Sequence, residues 1–176
     1  MGQVIRLSLP PTPYPEVSAK LDTAEAVVLI AVRWWVRAFR LNEDPLPRLR
    51  QGLLAAGVRD AALSVDTFMS VVRQSARRPI AVHGPRCPHL GGDEKCLLHA
   101  VALAQAGDSD LAERVLRTAL LSAQGAEFAL GPLDGLGRLL AGARLLLRRR
   151  LPPDQGASGV STVESWSPSL FSDTVH

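Results

Sequence analysis

From Asp22 onward, apolar residues recur at three- and four-residue spacing, the period of an α-helix with one buried face. The first such run, 22–41, opens with a capping-box pattern, Asp22 with Glu25 three residues later. Within it Val28, Val32, Trp35 and Phe39 line one stripe and Arg33, Arg37 and Arg40 another. Nearly everything outside the arginine stripe is apolar. Such a helix belongs in the middle of a bundle or at a subunit interface, with Trp34 and Trp35 as core and the arginines as a solvated face. A homodimer is therefore expected.

The prolines within 42–47 break this pattern, and a short helix over about 46–56 then ends at Gly57. Over 60–76, Ala62, Val65, Phe68 or Met69, Val72 and Ala76 predict a third helix, stopped by Arg77, Arg78 and Pro79. Ile80, Ala81 and Val82 form a run too short for a sheet of its own, and the sequence offers it no partner. Gly92 or Asp93 opens a helix carrying Cys96, Leu97, Leu98, Val101 and Ala104, with Gly107 as its stop. Asp108 and Ser109 cap another over about 110–123, ending at Gly125. The run ALAQAGDSDLAERVLRTAL, 102–120, resembles one hairpin of a tetratricopeptide-type repeat. It does not recur at a fixed period, so it implies an αα-hairpin and no solenoid. A last helix, interrupted early by Pro132, sets Leu136, Leu139, Leu140, Ala143, Leu146 and Leu147 on one face. Arg148, Arg149 and Arg150 then complement the dipole at its C-terminus.

The expected fold is thus all-α, a compact bundle of five or six helices. An extended N-terminal arm (1–20) precedes a helical domain (21–151), and a disordered acidic tail (152–176) follows, rich in Ser, Gly and Pro. In that tail Trp166, Leu170 and Phe171 make an apolar island that reads as a docking motif for a protein partner.

Composition narrows the classes. A chain of 176 residues, 47% hydrophobic and 21% charged, suits one ordinary globular domain. Its start lacks the apolar stretch of a secretory signal, and the most apolar segment, 26–32, is far shorter than the roughly 20 residues of a membrane span. A cytoplasmic location without membrane insertion is expected. Two cysteines exclude a disulfide scaffold. The net charge is +3, and without the tail's three acids the body carries +6. Lys20 and Lys95 are the only lysines, so the abundance of Arg reflects a coding bias before it reflects anion binding.

The pointed chemistry lies in HGPRCPHLGGDEKCLLH, 83–99, which holds both cysteines and three of the four histidines. Zinc takes about four thiolate or imidazole donors in a tetrahedron. Cys96 and His99 share a helix face, and the Gly- and Pro-containing loop before them can fold Cys87 and either His83 or His89 over it. The spacing C-x-H-x6-C-x2-H matches no standard zinc finger. Cys87 beside Arg86 and Cys96 after Lys95 also suit a thiol switch. Cys87 with Pro88 resembles the Cys-Pro element of haem-responsive regulators, which implies haem as the alternative cofactor. The nucleophile-elbow, phosphate-loop and H-E-x-x-H patterns are absent. Arg77, Arg78 and the Arg148, Arg149, Arg150 triplet are candidate phosphate contacts, but Asp110 and Glu113 at the start of the hairpin's second helix disfavour nucleic acid. The expectation is a small soluble non-catalytic regulatory or adaptor protein with a zinc site. Its alternatives are a haem- or thiol-based redox sensor and a DNA-binding transcriptional regulator.

Overall fold

The computed structural model describes residues 10–153 and the backbone of Ser165–Trp166. Among these the chain is all-α, with α1 (Thr23–Arg40), α2 (Pro45–Ala55), α3 (Ala61–Ser75), α4 (Gly92–Gln105), α5 (Ser109–Ala119) and α6 (Ala123–Gly142). α3 packs along α6, while α4 and α5 form the expected hairpin. α4 lies at the centre, meeting α1, α5, α6 and the loop before it, and is buried on nearly every side. The two-residue strand β1 (Ile80–Ala81) pairs antiparallel with β2 (Ser165–Trp166). The sequence hides that partner because it sits in a stretch with no strand pattern of its own. Of the apolar island, Leu170, Phe171 and the Trp166 side chain lie outside the described residues.

Local chemistry explains most boundaries. The Glu25 carboxylate accepts from the Asp22 N–H at 3.0 Å, closing one half of the capping box. Asn42, with φ 54°, is where α1 stops. Pro45 and Pro47, read from sequence as breakers, stand instead in the first turn of α2, where a missing N–H has no helical partner to lose. Gly57 and Gly107, at φ 75° and 84°, terminate α2 and α4 in the left-handed region.

Three expectations need correction. α5 stops at Ala119, short of 123, because Leu120 and Leu121 are fully buried and the backbone there turns to the loop after α3: Arg77 N–H donates to Leu120 O, and Ser122 N–H to Ser75 O. Ser122 Oγ then caps α6 by accepting from Gly125 N–H, so Gly125 lies in the first turn of a helix and not at the end of one. α6 itself ends at Gly142. Arg144, at φ 61°, turns the chain into an extended strap, 145–153, which Gln105 holds by donating to Leu145 O and accepting from Leu147 N–H.

The argument for a dimer also loses its premise, since α1 buries Ala24, Val28, Leu29, Ala31, Val32, Trp35, Val36 and Ala38 within its own chain. Trp35 stacks on Phe39 and donates to Asp66, and Trp34 lies beneath the Arg48 guanidinium at 3.9 Å. No helix among the described residues is long and apolar enough to cross a membrane.

α3 and α6 approach so closely that a Cβ on Gly125 would lie 2.1 Å from Ser75 Cβ. Gly125→Ala is therefore expected to lower stability by about 1–3 kcal/mol, through overpacking. Gly52→Ala, in open space on α2, is expected to raise it by about 0.5–1 kcal/mol through helix propensity. Urea unfolding followed by circular dichroism checks both signs.

Candidate functional site

The 83–99 segment is organised by a carboxylate. Glu94, in the first turn of α4, is 1% exposed and receives five hydrogen bonds. Arg33 grips it through Nε (2.8 Å) and Nη2 (3.0 Å), and the backbone N–H groups of His83 (3.0 Å) and Gly91 (2.8 Å) donate to it. His83 Nδ1 lies 2.9 Å from Oε2. Burial alone would raise the Glu94 pKa, but the Arg33 and Gly91 hydrogen bonds, the Arg33 charge and the His83 contact outweigh it and hold the pKa below the ordinary glutamate value. Arg33 goes on to donate to the carbonyls of Cys87 and His89, so one guanidinium on α1 fixes the entire loop. Its neighbour Asp93 accepts from Arg78 and from the Ala81 N–H, holding the strand β1 to α4.

Arg33 is 2% exposed, which overturns its reading as one of three solvated arginines. An ion pair with Glu94 is what permits its burial. The signal was present in the sequence as a single Arg set between Ala31, Val32 and Trp34, Trp35, Val36, interrupting an otherwise apolar circumference. Glu94 stands in the first turn of α4, where any acid suits the helix dipole. Its position is the expected one, but its partners come from elements far away in sequence.

The candidate zinc ligands are not brought together. His83 is taken by Glu94, Cys96 is buried, and the His99 ring meets Tyr14 edge-on at 6.1 Å. Cys87 is half-buried and His89 exposed, and both serve Arg33 through backbone carbonyls. No group of three or more His, Cys, Asp or Glu that could hold a metal ion occurs among the described residues. Burial, with the Asp93 charge adding to it, pushes the Cys96 thiol up to about 11, against the thiolate expected from its place at a helix start.

The C-terminal arginines do not form a free cationic patch either. Arg148 pairs with Asp22, Arg149 with Asp108, and Arg150 is buried in a two-pronged pair with Glu25 at 2.5 and 2.7 Å. Arg150 Nη1 also donates to Pro13 O, and Leu151 N–H to Thr12 O, so strap and N-terminal arm are stitched together.

Where arm and strap cross the α4–α5 hairpin they leave a cavity of about 660 Å³. His99, Leu103, Leu111, Arg114, Val115 and Arg149 are among its walls, with Pro11 from the arm and Leu151 and Pro152 from the strap. His99 is 6% exposed, and its Nδ1 has no hydrogen-bond partner. Burial, aided by the Arg149 charge, lowers its proton affinity, so the imidazole is neutral at pH 7. The hydroxyl of Tyr14, packed against the same ring, is likewise without a partner.

Comparison of the chain with models of protein families, with curated proteins and with solved structures returned no significant match.

Two outcomes follow from this geometry. Because the Glu94 pKa is lowered on folding, its stabilisation is fully present above the ordinary glutamate value of 4.5 and is lost as pH falls through the lower, folded value. Urea midpoints measured between pH 7 and pH 3 should therefore fall at the acid end, and Glu94→Gln should be less stable at neutral pH with a shallower acid limb. Alkylation by iodoacetamide followed by mass spectrometry should label Cys87 in the folded protein and Cys96 only after denaturation.

Proposed function

We propose that this chain is a small non-catalytic regulatory or adaptor protein that works by binding, and that its ligand site is the cavity where arm and strap cross α4 and α5. The observation that carries the reading is His99 Nδ1, buried without a partner in the wall of that cavity. A buried polar atom left unpaired costs about 1–3 kcal/mol, and a ligand that supplies the missing hydrogen bond removes that cost. The cavity volume falls within the roughly 300–1,000 Å³ typical of small-molecule sites, and its walls combine apolar side chains with a few polar groups, as such sites do.

The buried carboxylates support a binding role over acid–base chemistry. Glu94 is engaged by Arg33, His83 and Gly91, Asp93 by Arg78 and Ala81, and Glu25 by Arg150. Regulation is supported by the origin of the walls. A molecule in the cavity touches Pro11 on the arm and Leu151 and Pro152 on the strap, so occupancy bears on the two segments that ion pairs and a few hydrogen bonds hold to the bundle.

Thermal unfolding of the full chain against a small-metabolite library tests this. A true ligand at about 100 times its Kd should raise Tm by about 5–10 °C. Leu111→Trp, which fills the cavity from a residue 41% exposed and so tolerant of replacement, should abolish the shift while preserving the fold. A library with no shifting compound, or shifts unchanged in Leu111→Trp, would remove the cavity as the functional site.

A further inference from the structure

The charge around this cavity identifies a ligand class. Its walls include Arg114, Arg149 and Arg150, with no carboxylate among the lining residues. Two of these guanidiniums are balanced elsewhere, Arg149 by Asp108 and Arg150 by Glu25. Arg114, exposed on α5, is in no ion pair among the described residues. The remaining wall is aliphatic, from Leu103, Leu111, Val115 and Leu151. One unbalanced positive charge, one buried imidazole nitrogen without a partner and an apolar surface together match a molecule with a single anionic head and an apolar body.

Resting on the reading of this cavity as the ligand site, we infer that it takes a monocarboxylate with an aliphatic chain, its head held between Arg114 and His99 and its chain laid along Leu103, Leu111, Val115 and Leu151. Planar carboxylate geometry suits a guanidinium and leaves an oxygen to accept from the imidazole N–H. The hairpin supports this polarity, since the Gly107 turn runs α5 back along α4 and brings Leu111 towards Leu103, on the turn side of Arg114 and His99. A cationic amphiphile would set its charge against Arg114, and a neutral one would leave the guanidinium unanswered.

Isothermal titration of the full chain at pH 7 with sodium decanoate, decanol, decyl phosphate and decyltrimethylammonium, each below its micellar concentration, tests the inference. Decanoate should bind best, decanol about 10-fold more weakly, and the ammonium not at all. Arg114→Gln should weaken decanoate about 10-fold and leave decanol unchanged. His99→Phe keeps a ring against Tyr14 and removes Nδ1, so it should weaken decanoate while the free protein stays at least as stable as the parent. That combination is not expected if His99 only packs.

Decanol equal to decanoate, or the phosphate or ammonium preferred, would overturn the carboxylate and leave the cavity standing. So would an absence of amphiphile binding in a protein whose library screen yields another ligand lost in Leu111→Trp. Decanoate binding that is indifferent to Arg114→Gln and Leu111→Trp would place the ligand elsewhere and overturn both readings.

Discussion

The structure depends on satisfying one buried carboxylate. A glutamate taken out of water with no partners would protonate or unfold its surroundings. Glu94 avoids this by collecting Arg33 from α1, His83 and its own backbone from the strand side of the loop, and the N–H of Gly91. Each donor is an attachment. Because Arg33 has groups to spare after binding Glu94, it also takes the carbonyls of Cys87 and His89, so a loop whose Leu90 alone joins the apolar core is fixed by polar groups as well. The same loop then holds the arm, through Ser18 N–H to Pro88 O and Leu90 N–H to Glu16 O.

The device is used three times. Asp93 binds Arg78 and the backbone of Ala81, and Glu25 binds Arg150 on the strap. In each case an acid in the first turn of a helix, where the dipole already favours it, anchors a non-helical segment beside the few apolar side chains, Ile80, Val82, Leu90 and Leu147, by which those segments join the core. This division of labour shapes the cavity. The helices pack on one another through Ala, Val and Leu, whereas among the described residues arm and strap join that core only through Tyr14, Leu145 and Leu147 and are otherwise tied down at discrete polar points. Between those points they span the α4–α5 hairpin without filling the space beneath, and His99 is left facing it.

Clustering of Cys and His within 83–99 does not translate into one shared site among the described residues. The segment is where the polar network and the cavity meet, yet its side chains point to different places: His83 into the carboxylate, Cys96 into the core, His99 toward the arm and strap. Sequence spacing puts Cys96 and His99 on adjacent positions of a helix. It says nothing about which other elements approach that face.

What the sequence by itself determined is mostly local: the helical period, the Asp22 cap, the glycine stops at 57 and 107, and the α4–α5 hairpin. These follow from interactions within a few residues, which a single chain displays openly. The tertiary structure decided the ends of α5 and α6, the strap, the β1–β2 pair, and the fate of every charged residue that is buried. Arg33 and Arg37 are alike in sequence, four residues apart on one helix stripe. Only the arrival of Glu94 from sixty-one residues away makes one of them an interior residue, because the free energy of burying a charge is set by its partner and not by its own position in the pattern.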